Sequence, residues 1–335
     1  MRKTKRVIAM VLAVLMLAVC FAGCGNTSTP NESSNNEKSE SKVYNIGISQ
    51  LVQHVALDAA TQGFQDALVK LLGEDNVKFD LQNAQGDSAT CTTIANQFVA
   101  SNVDLMLGNA TAALQAEFTA SQDIPILGTS ITDYATALDI ADWTGTTGMN
   151  VSGTSDLAPL DKQAEMLNEL FPDAKKVGII YCSAEPNSKF QATTITEYLK
   201  EYGYEITEYT FADSNDLAAV TTAACDASDV LYVPTDNTAA SNTGIISNIA
   251  EPAGVPIVAG EEGICSGCGI ATLSISYYDI GYKTGEMAYD ILVNGKDITT
   301  MEVQYAPATT KKFVEDRAKA LGIEIPSDYE AIVAE

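Results

Sequence analysis

From Val43 onward the chain alternates short β-rich runs with stretches of helical length. Strands are expected at residues 43–49, 77–82, 103–107, 125–128, 177–181, 205–211, 230–233, 256–259 and 271–276. Helices are expected between them, at 56–71, 88–100, 111–120, 159–170, 187–201, 238–249 and 277–292. Strands alternating with helices of about 10–15 residues form parallel sheets covered on both faces. The pattern is also duplicated. At an offset of 131 residues, Gly47-Ile48-Ser49 falls on Gly178-Ile179-Ile180, Phe64 on Ile195 and Leu68 on Leu199. A second run, 103–113, matches 228–240 at an offset near 126–127, and each continues through a helix into a similar strand. Agreement of two segments at nearly one offset points to two similar α/β lobes. Open sheets of this kind bind ligands at the carboxyl ends of their strands, so two such edges facing each other make one cleft.

The residues ahead of this body are of another kind. Arg2, Lys3, Lys5 and Arg6 precede an apolar run from Val7 to Phe21, which ends in Ala22-Gly23-Cys24. Basic, apolar and small-residue segments in that order form an export leader, too short for a spanning helix of about 20 apolar residues. Small residues before a cysteine resemble a bacterial lipobox, with Phe21 replacing the usual aliphatic residue. Residues 1–23 are therefore expected to be removed and Cys24 to carry lipid. Residues 24–42 read as a tether: Asn, Ser, Thr and Glu leave too little apolar surface to fold. As a flexible coil, residues 26–42 would hold the body about 20–25 Å from its anchor.

Charge excludes one class of partner. The chain has 19 basic and 44 acidic residues, a formal net charge of −25. Such a chain is repelled by nucleic acid backbones and by anionic lipid, so membrane attachment falls to the N-terminus. Monomeric behaviour is expected.

The loops after the strands carry the candidate ligand contacts. Gln50 and His54 follow the first strand, and Ser183, Glu185, Asn187 and Ser188 follow its duplicate, with His54 falling on Glu185 at the 131-residue offset. His54 is the only histidine. Asn109, Ala110 and Thr111 in one lobe, and Asp236 and Asn237 in the other, stand between a strand and a helix. There a small polar residue can cap the helix, or the free N–H groups can receive a carboxylate. Thr129, Ser130 and Asp133 follow another strand in the same way. Asp133, Glu185 and Asp236 supply negative charge suited to an ammonium group, and spacing alone does not choose among them. Trp143 either covers the cleft or packs on the surface.

Cys265 and Cys268 form a Cys-x-x-Cys pair, but no partner histidine or second pair lies nearby to complete a metal site. A local disulfide or two free thiols is expected. No phosphate-binding Gly-rich loop with its lysine, His-Glu-x-x-His or Gly-x-Ser-x-Gly is present. No metal or cofactor is expected. A sugar or nucleoside binder and an exported hydrolase on the same scaffold remain alternatives to an amino acid binder.

Several segments together resemble the extracytoplasmic substrate-binding lipoproteins of ABC importers, in particular the group associated with tryptophan and other aromatic amino acids. They are Gly47-Ile-Ser-Gln50 with His54, Gly108-Asn-Ala-Thr111, Gly128-Thr-Ser-Ile-Thr-Asp133, Ser183-Ala-Glu-Pro-Asn-Ser188, Pro234-Thr-Asp-Asn-Thr238, Gly260-Glu261-Glu262 and Ala271-Thr-Leu-Ser-Ile-Ser-Tyr277. Val55, Ala112 and Tyr134 stand where that pattern has proline. The resemblance implies an α/β, type I periplasmic-binding-protein-like fold: two Rossmann-like lobes with parallel sheets joined by a three-crossover hinge. The first lobe is expected to span 43–157 plus 272–300, and the second 158–271 plus 301–335. It further implies capture of a small zwitterion, foremost Trp, Phe or Tyr, without catalysis. The partners it implies are a permease and ATPase, with Glu261 added to the ligand contacts above.

Overall fold

The structure, a computed structural model, describes residues 42–332. The leader, Cys24 and most of the tether lie outside the described residues. In chain order the body begins β1 (Tyr44–Gln50), α1 (Val55–Leu72), β2 (Val77–Asn83), α2 (Ser88–Ala100), β3 (Leu105–Asn109), α3 (Thr111–Ala120), β4 (Ile126–Ile131), α4 (Tyr134–Leu138) and β5 (Val151–Ser155). It continues through α5 (Leu160–Leu170), β6 (Lys176–Cys182), α6 (Pro186–Glu201), β7 (Glu205–Phe211), α7 (Leu217–Ala227), β8 (Val230–Val233), α8 (Asn237–Ala240), α9 (Thr243–Ala253), β9 (Ile257–Ala259), α10 (Glu262–Cys268) and β10 (Ala271–Ser274). Then follow α11 (Tyr277–Leu292), β11 (Gln304–Tyr305), β12 (Thr310–Phe313), α12 (Glu315–Leu321) and β13 (Glu330–Ala331).

Two sheets result, ordered β11-β5-β4-β3-β1-β2 and β13-β12-β10-β9-β8-β6-β7. Every pairing is parallel except β10 with β12. The chain therefore crosses between sheets three times, at residues 156–159, 275–276 and 306–309. Two expected lobe limits shift as a result. β10 pairs with β9 through Ala271↔Val258 and Thr272↔Ala259, so it belongs wholly to the second sheet. β11 pairs with β5 through Gln304↔Thr154, so the first sheet reclaims a strand beyond residue 300.

The first lobe is built around the contact of α1 with α11. On α1 a stripe of small residues, Ala56, Ala60, Gly63 and Ala67, meets Gly281 and Gly285 of α11. A Cβ at Gly63 would lie 2.1 Å from the Tyr278 carbonyl oxygen, and one at Gly281 2.0 Å from that of Ala60. Beneath them Ile46, Ile48, Phe64, Leu68 and Met287 form one face of the core. Each fully buried Phe or Leu contributes about 1.5–3 kcal/mol. At the end of the helix pair, Ala56, Ala60, Ala158, Ile275, Tyr277 and Ile280 form a small apolar cluster, with Ala306 packed against it. One residue from each crossing (Ala158, Ile275 and Ala306) thus meets at a single point.

Helix 238–249 was expected to be continuous but is two helices, α8 and α9. Ser241 Oγ bonds the Asn237 carbonyl at 2.9 Å and Asn242 Nδ2 that of Thr238 at 2.8 Å. Asn242 Nδ2 takes the Thr238 carbonyl that its own N–H would otherwise use, and that N–H turns to the Ala239 carbonyl, which lets the helix stop. Cys265 and Cys268 lie on α10 as buried free thiols, not as a disulfide in a loop. Arg317 hooks the end of that helix, bonding the carbonyls of Cys265, Ser266, Gly267 and Gly269. Trp143 stacks on Tyr134, ring centroids 6.4 Å apart, within the first lobe.

Gly281→Ala is expected to lower stability by about 1–3 kcal/mol or more, because the added methyl meets backbone. Gly244→Ala, in α9 where a Cβ meets nothing within 4 Å, is expected to be neutral or to gain up to about 1 kcal/mol. Urea unfolding of both variants checks the contrast.

Candidate functional site

Parallel pairing brings the carboxyl ends of β1, β3, β4 and β5 to one edge, and those of β6, β8, β9 and β10 to one edge of the other sheet. Contacts between lobes show that these edges face each other. His54 Nε2 lies 3.2 Å from Asn237 Oδ1, and Gln191 Nε2 on α6 donates to Thr132 Oγ1 at 3.3 Å.

Several candidate residues work inside their own lobe. Gln50 accepts from Thr61 Oγ1 at 2.7 Å and donates to Asp58 Oδ1 at 2.7 Å. Asn109 Nδ2 donates to the Leu57 carbonyl at 2.8 Å and to Thr61 Oγ1 at 2.9 Å. Both side chains tie α1 to the sheet. Thr129 Oγ1 lies 3.2 Å from Thr154 Oγ1, which is 2.8 Å from Thr284 Oγ1 on α11. Ser183 Oγ donates to the Phe211 carbonyl at 3.1 Å. Asn187 Nδ2 bonds Glu185, Ser188 Oγ and the Thr235 carbonyl.

The four acids named from sequence serve as helix caps in this structure. Asp133 accepts from Thr136 N at 2.7 Å. Asp236 accepts from Ala239 N and from Cys182 N, both at 2.7 Å. Glu185 receives five donations, from Asn187 Nδ2, the N–H and Nδ2 of Asn237, and the N–H and hydroxyl of Thr238. Glu261 accepts from Gly263 N at 2.6 Å and from Ile264 N.

Two residues absent from the sequence candidates complete the arrangement. Asp156, only 4% exposed, stands on the first crossing, directly after β5. Its Oδ1 accepts from Thr132 Oγ1 at 3.0 Å and its Oδ2 from the Tyr277 hydroxyl at 2.9 Å. Gln191 reaches the same Thr132 from the second lobe. The signal for Asp156 was the run Val151-Ser-Gly-Thr-Ser155, which reads as loop because it carries one aliphatic residue.

In the first lobe, polar atoms at the cleft edge are left over. Ser130 Oγ and His54 Nδ1 are buried without a partner among the described residues. With Asn237 Oδ1 accepting from Nε2, a neutral His54 presents Nδ1 as a bare acceptor. Ala110, at the start of α3, and Ser130 take φ of 87° and 57°. Strained non-glycine conformations of this kind cluster at ligand sites. No side chain caps α3, so its first N–H groups are available to an anion.

Electrostatically the cleft is short of positive charge. Burial pushes Glu261 up to about 7 despite its two N–H donors. Burial, and then the Glu185 charge, raises Asp236, and burial raises Asp156 against the pull of the Tyr277 and Thr132 hydroxyls. Burial lowers His54, keeping it neutral. Among the described residues no lysine or arginine forms an ion pair with Asp133, Asp156, Glu185, Asp236 or Glu261. No group of three or more His, Cys, Asp or Glu among the described residues is placed to hold a metal ion.

Two α/β lobes, three crossings and a polar cleft between facing strand ends define a solute-binding protein of the type I periplasmic-binding fold. The profile of a family described as ABC transporter substrate binding protein matches residues 45–333, and the chain belongs to that family. The tyrosine-binding protein of Clostridioides difficile (strain R20291) is 38% identical over 327 residues, 97% of this chain and 94% of that protein. The ABC domain in complex with L-Trp from Streptococcus pneumonia superposes with a TM-score of 0.83 at 30% identity, over 87% of this chain and 100% of that one. The ligand-free, open structure of a substrate-binding protein with adhesive properties from Clostridium difficile gives 0.67 at 40% identity, over 88% and 100%. The open protein is nearer in sequence, yet the L-Trp complex is nearer in shape. The role is extracytoplasmic solute binding, and the chain is not an enzyme.

A carboxyl raised by burial keeps its proton in the folded state after the unfolded chain has lost it. Its stabilising contribution is complete below the unfolded value near ~4 and is lost as pH rises through about 7 for Glu261. Without added ligand, the melting temperature should fall from about pH 5 to about pH 8, and less steeply in Glu261→Gln. Parallel profiles for the two proteins would contradict this.

Proposed function

We propose that the protein captures a free aromatic amino acid (Trp, Tyr or Phe) between its lobes and hands it to a permease driven by an ATPase. The carrying observation is chemical. A cleft whose acids have no lysine or arginine partner among the described residues, with an uncapped helix start and an unpartnered Ser130 hydroxyl at its edge, suits a zwitterion. The relatives named for tyrosine and solved with L-Trp direct the choice of side chain. The ligand's carboxylate is received by the start of α3 at Ala110 and Thr111, with Ser130. His54, half-buried beside the cleft and bonded across it to Asn237, closes over the side chain.

The same reading places the body outside the membrane, held by lipid on Cys24 through the polar tether of residues 24–42. What supports this is the leader and the Ala22-Gly23-Cys24 sequence. Cys24→Ala should abolish acyl labelling and release the protein from the membrane fraction.

Calorimetry against the twenty amino acids should show binding confined to Trp, Tyr and Phe. Binding of none of the three would overturn the assignment. His54→Ala should weaken that binding by about threefold to tenfold, the worth of one hydrogen bond of about 0.5–1.5 kcal/mol.

A further inference from the structure

We propose that Asp156 is the residue that holds the ligand's ammonium group, making the cleft selective for free α-amino acids over their des-amino analogues. This rests on the amino acid reading above.

The assignment follows from comparing the carboxylates. Glu185, Asp236 and Glu261 are each bonded to backbone N–H groups of the second lobe, where the start of a helix supplies fixed partial positive charge. Asp133 caps α4 at a half-buried position. Asp156 differs from all four. Its side-chain oxygens accept from two neutral hydroxyls only, Thr132 and Tyr277. A carboxylate oxygen has two lone-pair sites, so each retains one. Glu261 lies near enough to add repulsion. A buried carboxylate without a countercharge is costly, and pairing it with a desolvated cation removes that cost. Among the described residues no lysine or arginine pairs with Asp156, and an ammonium group on the ligand would.

Position supports the same role. Thr132 joins Asp156 to the first lobe, and Gln191 joins Thr132 to the second. A group bound at Asp156 therefore lies where both lobes meet. A second observation points to a ligand independently of the acids. Ser130 Oγ, on a residue 6% exposed and two positions before Thr132 on the same strand end, has no partner among the described residues. Asp156 and Ser130 thus offer an acceptor for the ammonium and a donor for the carboxylate of one amino acid.

Calorimetry on the full chain tests this, with L-tryptophan, L-tyrosine and L-phenylalanine set against 3-phenylpropionate and indole-3-propionate, the latter two read by competition. Asp156→Asn should weaken amino acid binding by about a hundredfold, as loss of one partner of a buried charge pair does. The des-amino acids should change by less than about threefold. Tyr277→Phe, which keeps the carboxylate but removes a positioning hydroxyl, should give a smaller loss confined to the amino acids. That variant carries the test if Asp156→Asn does not fold. Equal loss for both ligand classes, or unchanged amino acid binding in Asp156→Asn, would overturn the assignment. If wild type binds none of the three amino acids, the amino acid reading itself fails and takes the assignment with it. If wild type binds them while Asp156→Asn is unaffected, only the assignment fails.

Discussion

The backbone contact between α1 and α11 is the constraint from which the rest of the first lobe follows. Gly63 and Gly281 let the two helices approach until carbonyl groups stand where side chains would be. α11 enters the first lobe from the second sheet, so this contact binds a late segment of chain to an early one. It also sets the Tyr277 hydroxyl against Asp156 and gathers Ala158, Ile275 and Ala306 at one point.

The two lobes share a plan but use it differently. His54 and Glu185 occupy equivalent positions after equivalent strands. In the second lobe Glu185 folds onto the N–H groups opening α8, so that lobe fills its own anion site. In the first lobe α3 begins without a side-chain cap, because Ala110 stands at the cap position and Asn109 turns to α1. Duplication supplied two helix starts. Differences at a few loop positions leave one without a side-chain cap and close the other with Glu185.

The alternation of strands and helices, and its repeat at 131 residues, made the fold legible from sequence because parallel strands are apolar on both faces and stand out from their surroundings. β5 is illegible for the opposite reason: Thr154 bonds the hydroxyls of Thr129 and Thr284, and Ser152 and Ser155 bond the carbonyls of Met301 and Thr132, in place of apolar packing. Missing that strand meant missing Asp156 at its end. The loops after the strands stand out in the sequence, but the roles of their residues are not separable there. An acid before a helix caps it or meets a ligand with the same sequence, and only the partners of each oxygen tell the two apart.

The five free cysteines of the described body, all buried, carry a consequence for chemistry outside the cell. Burial holds the thiols of Cys91 and Cys268 near about 11 and about 12, so almost no thiolate exists at neutral pH. Thiolate is the form that oxidises, exchanges and alkylates. The folded body can thus sit in an oxidising medium without forming or needing disulfides. The same shielding vanishes on unfolding, which makes the rate of thiol alkylation a built-in clock for how often each lobe opens its core.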